Sequence, residues 1–189
     1  MKRPEAIVVG CSAGGLDALK ILLAGLDPQL SQPVLVCCHS GADTVELLCE
    51  LLARASTLPV VEAVERTPPR GGVVHVAPSG YHLLVEADGC FALSTDPRVS
   101  HARPSIDVLF GAAADVWRQA LIGVVLTGAN ADGAQGLLQL RRNGGCAIVQ
   151  SPADAVAKTM PQAALDIAGA DHCVPLDAVA PLLNRLCCP

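Results

Sequence analysis

Three polar interruptions of apolar runs carry the residues of this chain best able to do chemistry. Gly10-Cys11-Ser12-Ala13-Gly14-Gly15 follows Ala6-Ile7-Val8-Val9, and His39 follows Val34-Leu35-Val36-Cys37-Cys38. Thr127-Gly128-Ala129-Asn130-Ala131-Asp132-Gly133 follows Leu121-Ile122-Gly123-Val124-Val125-Leu126. Ser12, His39 and Asp132 are thus a hydroxyl nucleophile, an imidazole base and a carboxylate to orient it. A serine hydroxyl attacks poorly until a base takes its proton, and the imidazole needs an acceptor on its other nitrogen. The order Ser, His, Asp along the chain is no obstacle, because such triads are defined by geometry. Backbone N–H groups in the Ser12 turn and near His39 or Ala129 would supply an oxyanion hole.

Each segment also has a plainer reading. Glycines around Ser12 suit a sharp strand-to-helix turn, and the following helix aims free N–H groups there, which equally suits a phosphate. Ser12 as a simple helix cap is a third option. The dinucleotide reading is the weaker one: the G-x-G-x-x-G spacing is missing, and His39 stands where an acid would hold a ribose. His39 could be a strand-end histidine bonded to backbone, and Asp132 a helix cap ahead of Gly133. His75, inside Val73-Val74-His75-Val76-Ala77, reads as a packed strand residue, and His172 has no evident partner. Cys37-Cys38-His39 is a poor metal site, since neighbours in a strand point to opposite faces. No metal ligand set is expected.

The elements that must hold these residues are strands and helices in alternation, which predicts a parallel sheet covered on both faces. Strands are expected near 5–10, 33–38, 59–63, 73–77, 121–126, 145–150 and 172–174. Helices are expected near 14–25, 43–55, 105–118, 133–143, 161–168 and 177–186. One interruption, 82–86 and 90–94 around Ala87-Asp88-Gly89, predicts a hairpin added antiparallel to the sheet. The fold class is therefore α/β: a doubly wound, mostly parallel sheet of about seven strands with an antiparallel hairpin and helices on both faces. In such sheets, sites gather at the carboxyl ends of the strands. Arg103-Pro104-Ser105-Ile106-Asp107 has helix-start chemistry, with Pro early and an acid in the first turn.

Composition bounds the rest. The 189 residues, 51% hydrophobic and 16% charged, predict a single domain over 1–189 with a thick two-sided core. No apolar stretch approaches the roughly 18 residues of a membrane span. Met1-Lys2-Arg3-Pro4 runs into a strand too soon for a secretory leader, so a cytoplasmic protein is expected. A net charge of −5 offers no basic field for nucleic acid. The nine cysteines are odd in number and form no CxxC pair, which fits reduced thiols packed as small apolar groups.

Several segments together resemble the CheB-type protein-glutamate methylesterases of bacterial chemotaxis. They are Gly10–Gly15, Val76-Ala77-Pro78 with Tyr81-His82, and the long run His101-Ala102-Arg103-Pro104-Ser105-Ile106-Asp107-Val108-Leu109-Phe110. Leu126-Thr127-Gly128, Asp132-Gly133-Ala134-Gln135-Gly136 and Met160-Pro161 follow in the family's order. The resemblance implies a catalytic domain without the family's phosphorylatable receiver, and a triad of Ser12, His39 and Asp132. It also implies Ala13, Thr127, Gly128, Ala129 and Arg103 near the cleft, with Arg103 steering an acidic surface and His82 lining the cleft. The implied reaction is hydrolysis of glutamate γ-methyl esters on the cytoplasmic domain of a methyl-accepting chemoreceptor, through an acyl-serine, with glutamine deamidation as a companion activity and no cofactor. Three places depart from the family pattern: Ala13 replaces a second hydroxyl residue, Ser40-Gly41 replaces Met-Pro, and Ala129 stands where methionine is common. These leave two competing expectations: a serine esterase for another substrate, or a non-catalytic binding module.

Overall fold

Residues buried on both sides of a strand must be apolar throughout, and Ala6-Ile7-Val8-Val9-Gly10-Cys11 satisfies that requirement at the centre of the molecule. In the computed structural model, which describes residues 3–39 and 45–188, this segment is β1 (Ala6–Cys11). It is followed by α1 (Gly15–Ala24), β2 (Val34–Cys38), α2 (Val45–Ala53), β3 (Val60–Glu62) and β4 (Val74–Val76). A hairpin of β5 (His82–Val85) and β6 (Phe91–Ser94) precedes α3 (Ile106–Trp117). The chain ends with β7 (Leu121–Val125), α4 (Ala134–Arg142), β8 (Cys146–Gln150), α5 (Thr159–Ile167), β9 (His172–Val174) and α6 (Leu176–Cys187).

Seven strands form one parallel sheet in the order β3-β4-β2-β1-β7-β8-β9. From β1 the chain lays down β2, passes to the edge strand β3 and returns to β4 between them. It then crosses back to β7 beside β1 and winds outward through β8 and β9, so its direction changes beside β1. One core, with Ile7, Val9 and Cys11 from β1, packs under α1, α2 and α6. The other, with Ala6 and Val8, packs under α3, α4 and α5. Helices on opposite faces leave a crevice at the carboxyl ends of the central strands.

The hairpin differs from its expected placement. It pairs only with itself, His82 opposite Ser94 and Val85 opposite Phe91, and adds no strand to the parallel sheet. Both flanks of that sheet are taken by the short strands β3 and β9. Leu83, Val85 and Phe91 instead join the core beneath α3. His75 packs its ring against Phe91, with centroids 5.1 Å apart, and accepts the Arg70 N–H, so it is the packed strand residue expected. Among the described residues no helix is long and apolar enough to cross a membrane.

Helices α3 and α4 lie against each other, and Gly136 is the reason they can. A Cβ placed there would sit 2.6 Å from Phe110 Cβ and 2.8 Å from the Asp107 carbonyl oxygen. Backbone cannot step aside cheaply, so Gly136→Ala is expected to cost about 1–3 kcal/mol of stability through overpacking. Thermal or urea unfolding measures it, and an unchanged midpoint would contradict this packing.

Candidate active site

The ladder of the central strands continues into the loops that carry the polar residues. Cys11 pairs with Cys38 at the end of β1 and β2, and the His39 N–H then donates to the Cys11 carbonyl at 3.0 Å. On the other side the Leu126 N–H donates to Gly10 and the Ser12 N–H to Thr127, each at 2.9 Å. Ser12 is thereby placed between His39 and the loop after β7. Gly14 then turns the chain into α1 with φ 77°, a backbone conformation that costs a glycine little. Ser12, His39, Asn130 and Arg103 share a cleft of about 320 Å³ at this end of the sheet.

His39 and Asp132 meet directly. Nε2 of His39 lies 2.9 Å from Oδ2 of Asp132, with the oxygen off the axis of the ring N–H. The His39 side chain is 14% exposed and that of Asp132 0%. Burial alone would push the Asp132 carboxyl up, but its partners outweigh burial and hold it below the usual carboxylate value. Those partners are His39, the Ile106 N–H at 2.7 Å, the Asp107 N–H at 3.0 Å and the Ser105 hydroxyl at 2.8 Å. Asp132 therefore caps α3 from outside the helix, while Ser105, the residue at the cap position, makes no side-chain bond to its own helix.

The other ring nitrogen of His39 faces a residue that the sequence pattern alone does not single out. Nδ2 of Asn130 stands 3.4 Å from His39 Nδ1, and Oδ1 of Asn130 accepts the Asp132 N–H at 3.1 Å. An Asx turn between Thr127 and Gly133 was the available signal. The Ser12 hydroxyl makes no hydrogen bond among the described residues, so the Ser12–His39 bond that a resting triad would show is not formed. Both residues nevertheless open onto the same cleft.

Of the remaining expected residues only Arg103 lines the cleft; Ala13 and Ala129 adjoin its lining residues Ser12 and Asn130, and Thr127 and Gly128 brace it. Ala13 and Ala129 are exposed, and their N–H groups donate to no acceptor among the described residues. Thr127 is 1% exposed and faces inward: its hydroxyl donates to the Ala13 carbonyl at 2.9 Å and accepts the Ala157 N–H at 2.8 Å. The Gly128 N–H is likewise engaged by the Ala157 carbonyl. Thr127 and Gly128 thus fix the turns that flank Ser12, and neither lines the cleft. Arg103 does line it, and spends Nη1 on the Thr95 and Asp96 carbonyls, which shapes the rim. His82 does not line the cleft. It is 1% exposed, with Nδ1 accepting the Ser105 N–H and Nε2 directed at the Pro97 carbonyl. Ser40-Gly41 lies outside the described residues.

Cys11 and Cys38 are buried free thiols on the paired ends of β1 and β2. The neighbouring Cys38 thiol, with burial, pushes Cys11 up, and the Cys11 thiol beside it holds Cys38 below its ordinary value. Among the described residues no group of three or more His, Cys, Asp or Glu side chains is arranged to hold a metal ion.

This geometry has close counterparts. A crystal structure of the Thermotoga maritima CheB methylesterase catalytic domain superposes with a TM-score of 0.93 at 27% identity, covering 97% of this chain and 98% of that one. A Leptospira interrogans relative is 43% identical over 182 residues, 96% of this chain and 94% of that protein. A Symbiobacterium thermophilum protein-glutamate methylesterase/protein-glutamine glutaminase is 37% identical over 95% of this chain, which spans only 49% of that protein. The model of the CheB methylesterase family matches residues 7–183, a stretch that holds the Ser12 turn, the His39–Asp132 contact and both faces of the sheet. By that match the chain belongs to the CheB methylesterase family.

Proposed function

We propose that this chain is a single catalytic domain that hydrolyses γ-methyl esters of glutamate side chains on the cytoplasmic domain of a methyl-accepting chemoreceptor. The observation that carries the reading is the His39–Asp132 contact of 2.9 Å, opening onto the cleft that also holds Ser12. Ser12 Oγ attacks the ester carbonyl carbon and its proton passes to His39 Nδ1, the ring nitrogen turned away from Asp132. The Asn130 amide beside Nδ1 gives way as the hydroxyl approaches. Asp132, kept ionised by its donors, stabilises the imidazolium that results. The negative tetrahedral oxygen is received by the N–H groups of Ala13 and Ala129, which adjoin the cleft residues Ser12 and Asn130 and donate to no acceptor among the described residues, the type of donor worth about 2.7–4 kcal/mol each. His39 then protonates the leaving methoxide, methanol departs and an acyl-serine remains. Water, activated by the same imidazole, hydrolyses it to free glutamate. A glutamine side chain entering the same sequence loses ammonia instead of methanol.

The support beyond geometry is membership of the family and the paired name of the Symbiobacterium relative. Chemoreceptor substrates place the enzyme in the cytoplasm. The serine mechanism has a direct test in labelling with a fluorophosphonate probe followed by peptide mass spectrometry. Modification at Ser12, lost in His39→Ala, is the expected result. No labelling at saturating probe would favour a binding module that retains the sheet without the chemistry, a reading to which the Asn130 contact on His39 gives some physical basis.

A further inference from the structure

Helices α3 and α4 begin at the same point and cap each other. Asp132, just ahead of α4, accepts the N–H groups of Ile106 and Asp107 at the start of α3. Asp107, in the first turn of α3, does the same for α4: its Oδ1 accepts the Gly133 N–H at 2.9 Å and the Gly136 N–H at 2.7 Å. Neither helix is capped by its own cap residue's side chain, since Gly133 has none and the Ser105 hydroxyl bonds Asp132. Each helix start is thus held by a carboxylate from the other, and the two carboxylates lie side by side.

We propose that Asp107 is a positioning residue for the hydrolysis: it anchors the Asp132 loop through Gly133 and adds a second negative charge to the field that stabilises protonated His39. This inference rests on the triad reading above. Burial first, and then the Asp132 charge, push the Asp107 carboxyl up to about 6 against the pull of its two N–H donors, so above that pH it carries charge. The ionisable groups facing it are Asp132 from the α4 lead-in and the Cys37 thiol of β2. Arg142 of α4 and Asp115 of α3 share its surface grooves. Asp107 does not line the cleft, so it acts through Asp132 and touches no substrate.

Asp107→Asn keeps an oxygen for the two glycine N–H groups and removes the charge, whereas Asp107→Ala removes both. For Asp107→Asn the acid limb of the kcat/KM profile is expected to move to lower pH by about half a unit or more, because the imidazolium loses a nearby negative charge. Its kcat should fall about 3- to 10-fold with KM unchanged, each tenfold corresponding to one pH unit of charge stabilisation. Asp107→Ala should lose about 100-fold in kcat as the loop also shifts. Stability supplies a readout independent of activity. With a folded pKa raised from 3.8 to about 6, Asp107 contributes stability below pH 3.8 that is lost as pH rises through about 6. The melting temperature of the parent should therefore decline over that window more than that of Asp107→Asn.

A purely structural role would lower kcat without moving the pH limb, and that result would overturn the proposal. NMR titration of the His39 ring, without substrate, tests the same charge directly: no downward displacement in Asp107→Asn overturns the proposal even in an active enzyme. Should Asp107→Asn not fold, Asp107→Ser carries the same charge test. A displaced titration together with full hydrolysis by Ser12→Ala would instead leave this inference standing and remove the serine mechanism.

Discussion

Ser12→Ala is expected to reduce methanol release from a methylated chemoreceptor cytoplasmic fragment by about 10⁴-fold or more, the scale on which loss of a triad nucleophile acts. The fold should be untouched. The Ser12 hydroxyl makes no hydrogen bond among the described residues, and the backbone bonds that set the turn, Ser12 N–H to Thr127 and Gly15 N–H to Ser12, do not involve the side chain. Thermal unfolding of the variant should therefore match the parent, which separates lost chemistry from lost structure. The prediction is sharp because the other parts of the site remain: His39 against Asp132, the Ala13 and Ala129 N–H groups, which have no acceptor among the described residues, and the Arg103-braced rim. If Ser12→Ala released methanol at the parental rate, ester cleavage would have to run by direct attack of water on the substrate. The covalent intermediate would then be abandoned.

The sequence disclosed the strand ends well because fully buried parallel strands must be apolar along their whole length, so a polar residue after one stands out. Ser12, His39 and Asp132 were visible for that reason, and the sheet order does bring their three loops together. What it hid depends on contacts between distant segments. Thr127 looks like a cleft residue in a strand-end loop, yet its hydroxyl is used between Ala13 and Ala157, segments 114 and 30 residues away. The Asp107–Asp132 exchange of caps is hidden likewise, since each carboxylate serves a helix other than its own. The hairpin was recognisable from its turn, but its partner was not, because a strand's apolar face does not reveal whether a helix or another strand covers it. His82 fell to the same ambiguity: a histidine in a family motif and a histidine bonded to backbone look alike until the Ser105 N–H is found against its ring.

Replacement of Asp132 should produce the other large effect, and it should act on both activity and stability. With Asp132→Asn the His39 ring loses the charge that stabilises its protonated form, and kcat is expected to fall about 10³- to 10⁴-fold. Asp132→Ala goes further, leaving the Ile106 and Asp107 N–H groups and the Ser105 hydroxyl without their acceptor, a cost of about 1–3 kcal/mol for each buried group left unpaired. The pH dependence carries a definite sign. Because the folded-state pKa of Asp132 is held below 3.8, the group contributes stability above that value and loses it as pH falls through the depressed pKa. Parental stability should therefore drop in strong acid by more than that of Asp132→Asn. The decisive comparison is the double variant Ser12→Ala/Asp132→Ala. Residues acting as one unit are not additive, so the pair should lose scarcely more activity than Ser12→Ala alone. Additive losses would mean that Asp132 serves only to cap α3, and the contact with His39 would then be architecture without a catalytic role.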